Sequence, residues 1–166
     1  MKIITSDQQN KEPIFALVYG GSGTGKTHLM GTLGELGDVL IIDIDQGTKT
    51  ITHAKDLQKF SDKITICDFT QFKDLDTAAK LVEANDPDKW NKEFGVKDLI
   101  KKPFDWIAWD TWSEIQWHMM KELRQKNNLQ GKGLDFRPNV QIQHWGMMTD
   151  LNKLAIEQLR TCKVNQ

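Results

Sequence analysis

The sequence predicts an α/β fold with a mostly parallel sheet flanked by helices. Short predicted strands occupy residues 14–19, 39–43, 63–67 and 104–110, and the first two are apolar runs typical of strands buried on both faces. Segments with apolar side chains at helical spacing alternate with these runs, at about residues 27–36, 70–84, 112–127 and 139–160. Strands that alternate with helices indicate crossover connections, and such connections join parallel strands.

Length and composition narrow the class further. The 166 residues are predicted to form one domain, residues 1–166, and 39% hydrophobic residues suffice for a sizeable core. The net charge of -1 gives no bulk attraction to nucleic acid, which leaves only a local basic face for that role. Cys67 and Cys162 have no metal-ligand spacing, which favours thiols in a reducing compartment. Without a signal peptide or a membrane-length apolar run, we expect a cytoplasmic protein with no membrane contact.

The most specific motif follows the first apolar run. Residues 20–27 match the phosphate-binding pattern G-x-x-x-x-G-K-[ST], known as Walker A, and read Gly20, Gly21, Ser22, Gly23, Thr24, Gly25, Lys26 and Thr27. The glycines let the backbone wrap closely around phosphate oxygens, and the amide groups of the loop and the following helix attract anions. Lys26 can reach the β- and γ-phosphates, and the Thr27 hydroxyl can ligate Mg²⁺. The motif therefore predicts a nucleoside triphosphate and Mg²⁺ as cofactors.

His28 directly follows this motif and is counted among the predicted nucleotide-binding residues. A position on the helix surface, without a ligand, is the alternative interpretation.

The run at 39–43 ends on a carboxylate, Asp43, and a second one, Asp45, follows two residues later. Ligands of open α/β sheets bind outside the carboxyl ends of the strands, which places both residues near the γ-phosphate. Asp45 is the candidate catalytic residue, because a carboxylate there can act as general base for the attacking water. The alternative is that both are solvated residues at the end of a strand.

The run at 104–110 ends on Asp110 and fits the Walker B pattern. Mg²⁺ in phosphate sites keeps several waters and takes one or two carboxylates, so we predict that Asp110 holds a metal-bound water. The alternative is a helix N-cap, because a predicted helix begins at about residue 112.

The remaining segments carry weaker signals. Residues 48–59 are expected to be helical, and residues 85–102 to form a loop with one short helical turn. The loop at 130–137 contains Lys132, Phe136 and Arg137, which are candidate contacts to single-stranded DNA. An ordinary loop between two helices explains the same residues equally well.

The order of these motifs resembles the RecA-like P-loop ATPase core. More narrowly, it resembles phage-encoded AAA-type nucleotide-binding proteins, some of which are linked to single-strand annealing. The resemblance implies Mg²⁺-dependent ATP hydrolysis in phage DNA recombination or annealing, in the host cytoplasm. In RecA-like proteins a Glu after the second strand activates water, and Asp45 stands at that position. The Asp110–Thr111 pair matches the Asp-Ser/Thr of the family, which also places a DNA-binding loop near 130–137.

The resemblance also implies a further core strand after a helix like 139–160. The sequence ends at Gln166 without one, so we expect a chain that lacks the last core strand and is incomplete at its C-terminus. Residues 14–19 would then form an exposed strand edge, which we expect another chain or a second copy to cover.

Three other functions share the Walker A motif. A nucleotide kinase usually clamps its phosphates with several arginines, and this chain has only Arg124, Arg137 and Arg160. A GTP switch needs an Asn-Lys-x-Asp motif, which the sequence lacks. A module that binds nucleotide without hydrolysing it stays open.

Overall fold

The computed structural model describes residues 13–68, 73–126 and 142–160, together with Cys162 and Val164. Three parallel strands form one sheet, with β1 (Val39–Asp43) between β2 (Ile64–Asp68) and β3 (Trp106–Asp110). The predicted α/β fold class, a parallel sheet flanked by helices, is therefore confirmed. That residues 1–166 form one domain stays a prediction.

Six α-helices lie in the described part of the chain. They are α1 (Lys26–Thr32), α2 (Lys49–His53), α3 (Lys73–Ala84), α4 (Pro87–Glu93), α5 (Trp112–Lys126) and α6 (Ile142–Arg160). Short 3₁₀ turns follow α1 at Leu33–Glu35 and α2 at Gln58–Phe60. None of these described helices combines the length and the hydropathy that a bilayer crossing requires.

The central strand β1 is buried on both faces. Leu40 and Ile42 pack on one side with residues of α3, α5 and α6. Val39 and Ile41 pack on the other side with residues around α2. Successive strand side chains point to opposite faces, so a strand covered on both sides has a continuous apolar sequence. Each of these fully buried side chains contributes about 1.5–3 kcal/mol relative to exposure.

Two asparagine side chains, Asn85 and Asn91, form hydrogen bonds with the backbone of the segment that leads into β3. The Asn91 amide donates to the Ile100 carbonyl at 2.7 Å and accepts from the Ile100 amide at 2.8 Å. Asn85 pairs with the backbone of Phe104 in the same way, at 2.8 and 3.0 Å. These paired bonds satisfy backbone groups that have no strand partner, which fixes the entry of β3 into the sheet. The predicted short helical turn in this region is the seven-residue helix α4.

The register of the strands aligns three carboxylates at one edge of the sheet. Asp43 at the end of β1 lies opposite Asp68 of β2 and Asp110 of β3. The amide of Ile44 donates to the Asp110 carbonyl at 2.6 Å and extends the pairing beyond β1. The carboxyl ends of all three strands therefore meet at this edge, where α/β proteins bind ligands.

The predicted strand at 14–19 is wrong. These residues have no regular secondary structure, do not join the sheet and are exposed; Tyr19, for example, is 91% exposed. A parallel strand is stable when neighbours and helices bury it, and an apolar run alone supplies neither. Within the described residues no strand follows Asp110, and no strand pairs with residues 14–19.

Candidate functional site

The glycine-rich loop, residues 20–25, connects the irregular segment to α1. Gly23 and Gly25 have φ values of 74° and 87°, which glycine adopts without the penalty that a Cβ brings. The Thr24 hydroxyl donates to the Gly21 carbonyl at 2.9 Å and closes the loop on itself. Helix α1 starts directly after Gly25, whose carbonyl accepts from the Leu29 amide at 2.9 Å. The predicted order of loop and helix is therefore present.

The Lys26 side chain folds back over this loop. Its Nζ donates to the carbonyl oxygens of Gly20 at 2.9 Å and Gly21 at 2.8 Å. Both partners are neutral, whereas a phosphate oxygen carries charge and forms a stronger hydrogen bond with an ammonium group. An incoming phosphate can therefore replace the two carbonyl oxygens as the hydrogen-bond partner of Lys26.

Thr27 and Asp110 are in contact although they are 83 positions apart in the sequence. The Thr27 hydroxyl donates to Asp110 Oδ2 at 2.6 Å. Asp110 is completely buried at the end of β3, and its Oδ1 has no hydrogen-bond partner. The helix that follows the loop thus brings Thr27 of the Walker A pattern into contact with Asp110, the predicted Walker B carboxylate.

The environment of Asp110 disfavours its negative charge. Burial is the main cause that raises the pKa of this carboxyl, and the hydrogen bond from Thr27 opposes it. Nearby Asp45 and Asp43 raise the pKa further, whereas Lys26 lowers it. A buried carboxyl with a free oxygen beside other carboxylates gains most from a bound cation.

The oxygens at this position fit Mg²⁺, which is a hard cation and prefers oxygen ligands. A hydroxyl and a carboxylate lie within 2.6 Å of each other, and the second carboxylate oxygen is unpaired. Within the described ranges, no group of three or more His, Cys, Asp or Glu residues could hold a metal ion alone. The other ligands of an ion at Thr27 and Asp110 would have to be water and phosphate oxygens.

The two carboxylates at the end of β1 and just beyond it, Asp43 and Asp45, have different environments. Asp43 is buried and accepts from the amides of Gly47 and Thr48, both at 3.2 Å, and from the Thr48 hydroxyl at 2.5 Å. Asp45 is exposed and accepts from the Gly47 amide at 2.9 Å. Asp43 therefore holds the turn that follows β1, and Asp45 is the carboxylate that solvent can reach.

The role of Thr48 was not predicted. The spacing of Asp43 from Gly47 and Thr48 is a signal for a carboxylate that caps a turn. That signal is weak without the structure, because many solvated strand-end carboxylates precede a glycine.

His28 lies on α1, half-buried, with Nε2 at 3.1 Å from Asp56 Oδ2. It also borders an open hollow of about 590 Å³ beside the glycine-rich loop. The residues that line the hollow are Val18, Tyr19, Gly20, Thr24, Gly25, Lys26, His28, Leu29 and Thr32. The sequence did not predict that Tyr19 and Leu29 would be exposed here, because both belong to segments with an apolar pattern.

The predicted DNA contacts Lys132, Phe136 and Arg137 lie outside the described residues. Two tryptophans of β3, Trp106 and Trp109, are half-buried and pack against the two cores. Trp117 of α5 is 51% exposed.

Comparison with known proteins identifies the family. A family model described as an AAA domain matches residues 12–165, a range that includes the glycine-rich loop, Asp45 and Asp110. No curated protein and no solved structure matches the chain. Because this match covers nearly the whole sequence, the chain belongs to the AAA domain family of P-loop-type ATPases.

Proposed function

We propose that this protein binds Mg·ATP at residues 20–27 and hydrolyses it. The 2.6 Å hydrogen bond between Thr27 and Asp110 carries the proposal, because it joins the two motifs that a metal-dependent phosphate site needs. Membership of the AAA domain family supports nucleotide binding in general. ATP, Mg²⁺ and the hydrolytic step are the specific parts of the proposal.

Each residue has a separate task in this site. The amides of the glycine-rich loop bind phosphate oxygens, and Lys26 exchanges its two carbonyl partners for the β- and γ-phosphates. Thr27 and Asp110 would hold the metal, with Asp110 acting through a bound water. When bound, Mg²⁺ would neutralise charge on the phosphate oxygens.

Asp45 is the proposed general base. It is exposed at the carboxyl edge of the sheet, and its charge influences the pKa of Asp110, so it lies near the proposed phosphate site. Its proton-accepting carboxylate would orient and deprotonate the attacking water. Asp43 is not proposed as the base, because three hydrogen bonds from the following turn occupy its oxygens.

The cellular role is a proposal that rests on the resemblance to phage AAA-type proteins. It is DNA recombination or single-strand annealing in the host cytoplasm, with Lys132, Phe136 and Arg137 as contacts to single-stranded DNA. The exposed apolar residues of the 14–19 segment support a further partner, either a second copy or another chain, that covers this segment.

A second candidate is a module that binds nucleotide without turnover. One observation favours it: the Asp45 carboxylate already accepts a hydrogen bond from Gly47 and has a shorter side chain than the expected Glu. A nucleotide kinase is less compatible, because it would need a set of arginines that this sequence lacks.

Steady-state phosphate release with Mg·ATP, with and without single-stranded DNA, tests these functions together. We expect turnover that DNA stimulates, and we expect Lys132→Ala combined with Arg137→Ala to remove the stimulation. Binding without turnover would support the second candidate. Transfer of phosphate to a nucleoside monophosphate would support the kinase and refute ATP hydrolysis as the function.

A further inference from the structure

The turn that carries Asp45 is bonded to the sheet on both sides. Before Asp45, the Ile44 amide donates to the Asp110 carbonyl at 2.6 Å, and the Ile44 side chain is buried. After Asp45, the Gly47 amide donates to buried Asp43 at 3.2 Å. Asp45 itself is exposed. The backbone of this turn is therefore fixed relative to β1 and β3, although its carboxylate lies in solvent.

The Gly47 amide also contacts the Asp45 carboxylate. It donates to Asp45 Oδ1 at 2.9 Å, which is shorter than its 3.2 Å contact with Asp43 Oδ1. Within the described residues, the second oxygen of Asp45, Oδ2, has no hydrogen-bond partner. One oxygen is thus held by the backbone, and the other is left for a solvent molecule. A carboxylate held in this way presents a single oxygen to water in a defined orientation.

The space beside Gly47 is filled by the same carboxylate. The φ angle of Gly47 lies outside the left-handed region, so its backbone conformation would suit alanine. A Cβ at this position would lie 2.7 Å from Asp45 Oδ1, and the next nearest atoms beyond its chain neighbours, at 3.6 and 3.8 Å, belong to the same carboxyl group. The exposed Asp45 side chain would have to turn away. An added methyl group would thus move this carboxylate and leave the rest of the turn in place.

We propose that Gly47 is a positioning residue for Asp45, which it orients through its amide and through its lack of a side chain. The inference rests on the proposed function, in which Asp45 is the base for ATP hydrolysis. In that reaction the oxygen of a water molecule bonds to the γ-phosphorus, and Asp45 Oδ2 takes a proton from the water. The bond between the γ-phosphorus and the bridging oxygen breaks, and ADP leaves with its electron pair.

The kinetics of Gly47→Ala, alone and combined with Asp45→Asn, test this role. We expect Gly47→Ala to lower kcat at least about tenfold, because a misplacement of about 1 Å can cost about a hundredfold in rate. KM and the calorimetric affinity for Mg·ATP should change less than about twofold, since residues 20–27 are untouched. In the Asp45→Asn background, Gly47→Ala should change kcat less than about twofold, because residues that act as a unit are not additive.

The matched control is Gly146→Ala. A Cβ added at Gly146 of α6 would meet no atom within 4 Å, so this variant adds a methyl group without moving a neighbour. We expect it to retain the kcat of the wild type. The Tm of Gly47→Ala should stay close to that of the wild type, and a large fall would contradict the low structural cost of the added methyl group.

Thr48 offers a second pair of variants that reach the same turn from its other end. The Thr48 hydroxyl donates to Asp43 Oδ2, while Asp43 Oδ1 accepts from the Gly47 amide. Serine keeps this hydroxyl, so we expect Thr48→Ser to retain kcat and Thr48→Val to lower it, at a temperature where both are folded. Equal kcat values in the two variants would contradict a turn that orients Asp45.

Failure of the inference and failure of the proposed function give different results. If the wild type binds Mg·ATP and releases no phosphate, hydrolysis fails as the function, and the positioning role fails with it. If the wild type hydrolyses ATP and Gly47→Ala keeps its kcat, hydrolysis stands and the positioning role is refuted. Equal losses from Gly47→Ala with and without Asp45→Asn would also refute it, since Gly47 would then act independently of Asp45.

Discussion

Two regions of the proposed site differ in how the fold holds them. At the carboxyl edge of the sheet, Asp43 and Asp110 are buried between strands whose side chains fill two cores. The segment 13–25 is exposed, and the hydrogen bonds that shape its loop come from Thr24 and Lys26. The comparison indicates that the proposed metal-binding half of the site is built by folding. The proposed phosphate-binding half is held by local hydrogen bonds that a ligand can replace.

The largest contrast is expected in stability. Ile42→Ala removes a completely buried side chain of β1 and should lower the free energy of unfolding by about 2–5 kcal/mol. Leu17→Ala removes a side chain that is 72% exposed and should change it by less than about 0.5 kcal/mol. Urea denaturation measures both. A large loss from Leu17→Ala would show that the 14–19 segment is buried in solution.

The next largest effect is expected on nucleotide affinity, at Lys26 beside the exposed glycine-rich loop. Lys26→Ala removes a cation that would form charge-assisted bonds to phosphate, each worth about 1.5–3 kcal/mol. We expect Mg·ATP affinity to fall at least about tenfold, as measured by calorimetry. Lys101→Ala is the control, because Lys101 is an exposed lysine away from the hollow. Unchanged affinity in Lys26→Ala would contradict the phosphate site.

A smaller effect is expected at the turn after β1. Thr48→Val keeps the shape of the side chain and removes the hydroxyl that donates to buried Asp43. Because a buried acceptor loses a partner, the free energy of unfolding should fall by about 1–3 kcal/mol. The control is Thr52→Val, since the Thr52 hydroxyl donates to the Lys49 carbonyl at an exposed position. Equal losses from the two variants would mean that Asp43 does not hold this turn.

These contrasts explain how much of the molecule could be predicted. Apolar runs predicted β1 and β3, because buried strands have that pattern, and residues 63–67 were predicted as the strand that is β2, which the structure leaves mostly half-buried. The contact of Thr27 with Asp110 was predictable because each residue belongs to a motif with a fixed place in the fold. The 14–19 strand was wrongly predicted, since an apolar run does not say which neighbour will cover it.

The roles of Thr48 and the hollow depend on distant elements. Thr48 contributes through the buried environment of Asp43 at the end of the sheet. The hollow exists because Tyr19 and Leu29, ten residues apart, both remain exposed beside the loop. Neither environment can be read from residues that are adjacent in sequence.

The smallest expected effect is the pH dependence of Asp110. Burial raises its pKa above the ordinary value of 3.8, so the folded state binds a proton more tightly than the unfolded state. Its stabilising contribution is fully present below pH 3.8 and is lost as pH rises through the raised pKa. Asp110→Asn should therefore give a ligand-free protein whose Tm exceeds that of the wild type increasingly with rising pH. A Tm difference that shrinks as pH rises would contradict this environment.

The Mg²⁺ dependence of ATP affinity tests the central claim most directly. Calorimetry of the wild type and Asp110→Asn, each in Mg²⁺ and in EDTA, isolates the contribution of the metal, with Asp62→Asn as an exposed control. We expect Mg²⁺ to strengthen binding to the wild type and to Asp62→Asn, and to have little effect on Asp110→Asn. The same Mg²⁺ enhancement in all three proteins would show that Asp110 does not serve the metal.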